Sequence, residues 1–362
     1  MFLEHGVPDL NRGWLDHDMF LDGKNRIYFV LGHYQPEDRI ISILKYVPEK
    51  EGTWNQKQTG IQYRRSYWHQ GIEAFNRSRE FLNLDSQKDV NRWFTLDPVF
   101  HTKFLEFPVD KIKNYMRPEK RLEKIYTTKE NLLDDLEKKV KYLATTLNSL
   151  KLRTPLPLNK IGITGSILWG GHSARSDINL NIYGRDLCNN LFNTLMDIAS
   201  ESAEIAPGIH LYLKSFEDIK EISRGRNIKK EFLKRKPKII LNGFSPGIQI
   251  RFCLEKDEFP IRYGEEIYKE VGSEQHIVEI INDSYSIFYP SLLYVKTADN
   301  GINIEKMMVY DTRFTRLFKK GDIVQINGLV QQINDENRYQ YLLGAKNPAI
   351  QEKITFLEPA PS

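Results

Sequence analysis

The chain has 362 residues, which is long enough for more than one hydrophobic core. Apolar residues make up 40% and charged residues 28%, a balance typical of a water-soluble globular protein. No segment approaches the ~20 consecutive apolar residues that a membrane-spanning helix requires. The formal net charge is only +4, so a nucleic-acid surface would have to come from local clusters of basic residues.

Two further features bear on the compartment. Met1–His5 lacks the basic start and apolar stretch of a secretory signal. Cys188 and Cys253 are the only cysteines, which is too few for a disulfide framework, and they lack the spacing of a zinc site. We therefore expect a cytoplasmic protein with no membrane association.

The pattern changes twice along the chain, so three domains are expected. Residues 1–125 are predicted to form a mixed α/β domain, in which Ile27–Leu31 and Ile40–Val47 are candidate strands of a hairpin. Residues 273–362 are predicted to form a small C-terminal β-barrel, because short strand patterns alternate there with Gly and Pro turns. The strands expected in that barrel are Ile277–Ile281, Leu292–Lys296, Ile323–Asn327 and Tyr339–Leu343.

The central domain, residues 126–272, is expected to be a mixed sheet with helices, which makes the fold class α/β (α+β) and multidomain. Apolar residues at three-to-four spacing predict helices over Lys129–Leu150 and Leu187–Ser200. The predicted strands are Lys160–Thr164, Asp177–Tyr183, Ile209–Leu213, Lys238–Leu241 and Gly247–Leu254. The last two are joined by turn-forming residues and are expected to pair with each other.

The first candidate site feature is Gly165-Ser166, directly after a predicted strand. A turn from strand into helix leaves backbone N–H groups pointing outward, and glycine lets a phosphate approach the main chain closely. The Ser166 hydroxyl would add one more hydrogen-bond donor. On the next strand, alternation places Asp177, Asn179 and Asn181 on one face, with apolar side chains on the other.

This arrangement resembles the DNA polymerase beta superfamily of nucleotidyltransferases, whose signature is Gly-Ser followed by Asp-x-Asp on the next strand. Ile163–Gly170 with Ser176–Gly184 looks more specifically like an archaeal group of predicted nucleotidyltransferases. The resemblance implies a site that binds a nucleoside triphosphate and Mg²⁺, with Gly165 and Ser166 at the phosphates and Asp177 at the metal. It extends over most of the chain, through Leu44–Pro48, Tyr115–Leu122, Ile287–Pro290 and Lys320–Val324.

The chain departs from that signature at the metal site. Asn179 stands where the second Asp is expected, and its neutral carbonyl is a poorer Mg²⁺ ligand than a carboxylate. The third carboxylate belongs on a neighbouring strand, yet the two candidate strands offer His210, Tyr212 and Lys214, or Gln249 and Arg251. A cation such as Arg251 would repel a metal, although it could pair with Asp177 or hold a phosphate directly.

The densest basic run of the chain spans Arg226–Lys238, with Glu231 as its one acid. Within it, Lys234, Arg235 and Lys236 are candidate contacts to the phosphates of RNA or of a triphosphate, through an attraction that weakens as salt rises. A solvated loop or helix face would have the same composition.

Three other features have both a binding and a structural interpretation. A second patch, where basic residues alternate with aromatic ones, is typical of single-strand binding but also of a half-buried helix. Its residues are Arg313, Phe314, Arg316, Phe318, Lys319 and Lys320. His172 could contact a ligand, although a solvent-exposed loop position is expected. Trp169 could stack on a base, although packing beneath the loop is the commoner role.

The expectation is therefore a central module that binds a nucleotide or RNA, with nucleotidyl transfer weakened or lost. Two alternatives stay open. In the first, the chain is an active enzyme in which Asp177 binds Mg²⁺ with help from Asn179, and a hydroxyl of RNA or protein attacks the α-phosphate. In the second, it is a binding factor that docks on RNA or a ribonucleoprotein without catalysis.

Overall fold

The structure is a computed structural model that describes residues 4–5, 11–66, 88–152, 155–214, 236–299, 301–310, 314–344 and 352–358. The chain divides into two compact units. The first comprises Met1–Tyr67, Phe107–Leu213 and Pro237–Phe259, and the second comprises Trp68–Glu106, Lys214–Lys236 and Pro260–Ser362. The predicted domains 1–125, 126–272 and 273–362 stay a prediction.

The described residues form a mixed α/β structure of several sheets, made mostly of strands with few helices. The helices are α1 (Lys88–Asn91), α2 (Pro118–Thr127), α3 (Asp135–Ser149) and α4 (Arg185–Ser200). The strands up to the middle of the chain are β1 (Glu4–His5), β2 (Met19–Asp22), β3 (Ile27–Val30), β4 (Arg39–Pro48), β5 (Trp54–Asn55), β6 (Gln62–Arg65), β7 (Phe94–Leu96), β8 (Lys103–Pro108), β9 (Ile112–Met116), β10 (Ile161–Thr164) and β11 (Ile178–Tyr183). Those that follow are β12 (Glu204–Ala206), β13 (Ile209–Leu213), β14 (Pro237–Leu241), β15 (Ile248–Cys253), β16 (Tyr268–Tyr285), β17 (Ser291–Thr297), β18 (Ile304–Val309), β19 (Ile323–Ile333), β20 (Tyr339–Leu343) and β21 (Lys353–Glu358).

An antiparallel sheet occupies the N-terminal part of the first unit, in the order β1-β9-β2-β3-β4-β6-β5. The predicted hairpin is confirmed as β3 and β4, with Tyr28 opposite Leu44. Buried aromatic rings pack on this sheet: Phe20 lies 5.1 Å from Tyr28 and 5.0 Å from Phe107 between ring centroids. Burial of these large rings supplies much of the hydrophobic stabilisation of the sheet.

Two three-stranded sheets complete the first unit, in the orders β10-β11-β15 and β12-β13-β14. Strand β11 is antiparallel to β10 and parallel to β15, and α4 follows it directly. The prediction that Lys238–Leu241 pairs with Gly247–Leu254 is wrong, because β14 pairs with β13 whereas β15 pairs with β11. Turn-forming residues predict that the chain changes direction, but they do not select the partner of the next strand.

The helix predicted over Lys129–Leu150 is found as α3, which begins later than expected. Asp134 caps it, because its Oδ1 accepts hydrogen bonds from the N–H groups of Leu136 (3.0 Å) and Glu137 (2.9 Å). The Glu137 carboxylate in turn accepts the Asp134 N–H at 3.2 Å, which completes a capping box. No helix of the described residues is long and apolar enough to cross a membrane.

The second unit contains a six-stranded sheet in the order β16-β17-β18-β20-β19-β21, in which β16 also pairs with β19. The pairing is uneven, because β16 has register shifts and β18 runs parallel to β20. Among the described residues the sheet therefore does not close evenly into the predicted barrel, although the four predicted strands are present. Its core includes Val278, Met307, Phe318 and Tyr341, each at most 2% exposed.

A buried ion pair lies against this sheet. Lys306 is 1% exposed, and its ammonium group donates to Glu266. The hydroxyl of Tyr268 also donates to Glu266, at 2.7 Å. Burial lowers the pKa of Lys306, and Glu266 opposes that shift. The carboxylate of Glu266 thus compensates a charge that would otherwise be strongly destabilising in the interior.

Glu266→Gln tests this pair, since the amide keeps the shape of the side chain but loses its charge. We expect the free energy of unfolding in urea to fall by roughly 3 kcal/mol, because buried Lys306 loses the carboxylate to which it donates. The control is Glu336→Gln, which removes an exposed ion pair with Arg338 and should cost under about 1 kcal/mol. Equal losses for the two variants would contradict the compensating role of Glu266.

Candidate functional site

The Gly165-Ser166 motif forms a tight turn at the end of β10. Residues Gly165–Ile167 make a single 3₁₀ turn, and Gly165 has a φ of 72°, in the left-handed region that favours glycine. A Cβ atom at this position would lie 3.2 Å from the Nδ2 atom of Asn179. The left-handed conformation therefore favours glycine here, and a Cβ atom would also displace the Asn179 side chain by a few tenths of an ångström.

The polar face of β11 is covered rather than open. Ile178, Leu180 and Ile182 are buried as predicted, but Asn179 and Asn181 are also buried, at 6% and 0% exposure. The expectation of an open polar face is thus correct only at its start, where Asp177 is exposed just before the strand.

The cover is a short N-terminal segment, Leu15–Asp18. The Nδ2 atom of Asn181 donates to the backbone carbonyl of Asp16 at 3.2 Å, and the hydroxyl of Thr164 donates to that of His17 at 2.9 Å. These two bonds attach the segment to the strands on either side of the Gly165 turn. Asn181 therefore has a structural partner that the sequence did not indicate.

Strand β11 pairs with β10 on one side and with β15 on the other. Of the two strands proposed for a third carboxylate, β15 is therefore the one beside β11. Asn179 is in register with Gln249, and Asn181 with Arg251. His210 and Tyr212 lie in β13, which belongs to a different sheet. The position expected for a third carboxylate therefore adjoins an amide and a guanidinium.

Lys45 on β4 adds a further cation to this region. Its ammonium group lies over the rings of Phe29 and Tyr46, 5.1 Å and 6.0 Å from their centroids. It has no hydrogen-bond or ion-pair partner among the residues that the structure describes. The pKa of Lys45 is lowered to about 7, mainly by burial and also by Arg65 and Arg251, while Asp177 opposes the shift.

The charges around Asp177 are therefore mainly positive. We call Lys45, Arg65, Arg251 and Asp177 the cation cluster, because the two arginines and the aspartate all act on the charge of Lys45. Sequence reasoning missed Lys45, whose one signal was a lysine within the apolar stretch of β4, and it attributed the basic and aromatic residues around Arg65 to strand alternation. A low-dielectric setting strengthens the attraction of such a cluster for an anion.

Asp16 and His17 form a hydrogen-bonded pair beside the cation cluster. The Nδ1 atom of His17 lies 2.7 Å from a carboxylate oxygen of Asp16, whose other oxygen accepts the N–H of Gly32 at 2.7 Å. Burial lowers the pKa of His17 to about 4, with Arg251 and Lys45 contributing and Asp16 opposing. His17 is thus neutral near pH 7, and Nε2 is the ring nitrogen not engaged by Asp16.

His172 is not the exposed loop residue that was expected. Its side chain is 1% exposed, and its Nε2 lies 2.8 Å both from Asp134 Oδ2 and from the ammonium nitrogen of Lys57. His172, Asp134 and Glu137 are close enough to hold a metal ion, with ligand atoms within 4.8 Å of one another. Lys57 already supplies a cation to Asp134, however, so Asp134 and His172 link the start of α3 to the loop between Ser166 and Asp177 without a metal.

The remaining predicted residues have different outcomes. Trp169 packs as expected, with its ring 4.9 Å from that of Tyr46 and 5.1 Å from that of Tyr63. Lys234 and Arg235 lie outside the described residues, and Lys236 is buried at 7% exposure, so the role of the basic run stays a prediction.

The second basic patch includes Arg313, which lies outside the described residues. Its two aromatic side chains, Phe314 and Phe318, are 1% and 2% exposed and belong to the core of the second unit. They are therefore not available for stacking on bases, although the described residues of this patch form turns and not the half-buried helix of the structural interpretation.

Comparison with known proteins gives one distant similarity. The chain is 21% identical over 347 residues to an uncharacterized protein of the archaeon Methanocaldococcus jannaschii, which covers 92% of this chain and 97% of that protein. No protein-family model matches the chain. No solved structure matches it either.

Gly165→Ala tests the requirement for glycine in the turn. The left-handed φ and the contact with Asn179 should lower the free energy of unfolding by roughly 2 kcal/mol, measured by urea denaturation. Gly247→Ala is the matched control, because nothing lies within 4 Å of its added Cβ. If both variants were equally stable, the turn would tolerate a side chain and this account of the motif would be wrong.

The buried His17 should make stability depend on pH. Its pKa of about 4 in the folded protein lies below the ordinary value of 6.5. The free energy of unfolding should therefore keep its full value above pH 6.5 and decrease as the pH falls toward 4, because the unfolded chain binds the proton more readily. The loss should approach about 3 kcal/mol. His17→Asn should remove that part of the pH dependence, measured by urea unfolding across this range.

His101→Asn is the control for this experiment, since both histidines have a positive φ, 62° and 50°, and His101 is exposed. It should keep the pH dependence of the wild type. Parallel curves for wild type and His17→Asn would show that His17 is not the group responsible.

Proposed function

We propose that the central module is nucleotidyltransferase-like, that it binds the phosphates of a nucleotide or RNA in the cytoplasm, and that its nucleotidyl transfer is weak or lost. The observation that carries the proposal is the cation cluster: Arg65, Arg251 and Asp177 all act on the charge of Lys45, and Arg251 is in register with Asn181 on the strand where a third carboxylate was expected. The Gly165-Ser166 turn and the alternating β11 supply the resemblance to nucleotidyltransferases.

The electrostatics disfavour a pair of metal ions at this site. Two-metal chemistry needs several carboxylates to hold Mg²⁺ ions a few ångströms apart. Here Asn179 is neutral and buried, and Arg251 is in register beside Asn181. Asp177 is thus the one carboxylate of the motif left for a metal, and the neighbouring cations reduce its affinity for one.

The same charges favour a phosphate. Arginine binds phosphate through two parallel hydrogen bonds, and a half-buried lysine regains a favourable environment when an anion neutralises it. Ser166 is 6% exposed and its side chain has no hydrogen-bond partner among the described residues, so its hydroxyl is free to donate to a phosphate oxygen that reaches the turn. Phosphate binding of this kind requires no Mg²⁺.

The first test is a calorimetric titration of ATP, with Mg²⁺ and with excess chelator, into wild type and Lys45→Met. Wild type should bind ATP in both conditions, and Lys45→Met should bind at least tenfold more weakly because it lacks one cation of the cluster, about 1.4 kcal/mol. Lys50→Met, which removes an exposed lysine just after the same strand, should match wild type. ATP binding that needs Mg²⁺ and ignores Lys45→Met would overturn the proposal.

An active Mg²⁺-dependent enzyme is the second candidate, favoured by one observation. Asp177 is exposed and has no hydrogen bond or ion pair with the described residues, so it could hold one Mg²⁺. In that case wild type would transfer labelled nucleotide from the α-position of ATP to total RNA, and Asp177→Asn would abolish transfer. Transfer that appears only in Asn179→Asp would instead support loss of the second metal ligand.

A further inference from the structure

A cavity of about 500 Å³ opens in the first unit beside the loop between Ser166 and Asp177. Its lining comes from the start of α3, from the loop before Asp177 and from the connection between β14 and β15. The lining residues are Asp135, Leu136, Lys139, Ala174, Arg175, Gly243, Phe244, Ser245 and Pro246. This volume lies within the range of cavities that bind small organic molecules.

The cavity is adjacent to Asp177. Arg175 in its wall precedes Asp177 by two residues, and the N–H of Ile178 donates to the carbonyl of Gly247 at 3.0 Å. That bond joins the ends of the two connections that form opposite walls. The walls therefore meet where β11 and β15 begin, next to the carboxylate of the cation cluster.

The chemistry of the lining suits a flat, partly apolar group with polar edges. The ring of Phe244 is half-buried and has no ring partner among the residues that the structure describes. Buried Leu136 and half-buried Pro246 contribute apolar surface. The exposed guanidinium of Arg175 has no hydrogen-bond or ion-pair partner within the described part of the chain.

We infer that this cavity holds the base and ribose of a nucleotide whose phosphates lie at the cation cluster. This inference rests on the proposed function and adds the nucleoside to it. Phe244 stacks on the base, as aromatic side chains do in proteins that bind unpaired bases. Arg175 lies between the two parts of the ligand and contacts its sugar-phosphate edge, while the Ser245 hydroxyl is available to the base.

The test compares ATP with inorganic tripolyphosphate, since both carry the phosphates and only ATP carries the nucleoside. By calorimetry, wild type should bind ATP at least tenfold more tightly than tripolyphosphate, because base stacking typically contributes about 1–3 kcal/mol. Phe244→Ala should bring ATP down to the affinity of tripolyphosphate and leave tripolyphosphate unchanged. Phe244→Tyr should restore the preference for ATP.

Two further variants separate this inference from the proposed function. Ser245→Trp places a large side chain on an exposed residue of the cavity wall, so it should block ATP and spare tripolyphosphate. Lys45→Met should weaken both ligands by the same factor. Equal affinity of wild type for the two ligands would overturn the inference while leaving phosphate binding intact. Binding of neither ligand would overturn the proposed function itself, and an equal loss of both in Phe244→Ala would also contradict a nucleoside cavity.

Discussion

The arrangement of the candidate site depends on two hydrogen bonds that hold the segment Leu15–Asp18 against β10 and β11. The side chains of Asn181 and Thr164 bind the backbone carbonyls of Asp16 and His17. A buried backbone carbonyl needs such a donor, and an asparagine supplies it where an aspartate would repel it. The amide at position 181 is thus explained by the segment that it binds, without reference to a ligand.

The cover also determines the charge of the site. With Asp16 turned toward His17 and Gly32, its carboxylate is used within the segment. The surface near Asp177 is then dominated by cations from β4, β6 and β15. Such a surface attracts phosphate and disfavours a cluster of divalent ions, which is why we prefer binding to catalysis.

Local patterns in the sequence predicted most elements of the fold and the β3–β4 hairpin, but not the pairing of strands that are distant in the chain. The strand before Gly165, the alternating β11 and the helix after it follow from short-range periodicity, which depends only on neighbouring residues. The parallel pairing of β15 with β11 and the cover over Asn181 depend on residues far apart in the chain, which periodicity does not report. For the same reason Lys45 was missed and His172 was wrongly expected in solvent, since burial is set by packing between distant segments.

The cation cluster and the covering segment Leu15–Asp18 come from widely separated parts of the first unit. Asp16 lies near its beginning, and Arg251 lies near its end at Phe259. Bringing such distant segments together requires closing long loops, and contacts of this kind form late in folding. The site therefore exists only once the whole unit has folded, and a growing or truncated chain that lacks β15 would have the motif without the surface around it. Ligand binding at this site would then report on the completeness of the fold as much as on the motif itself.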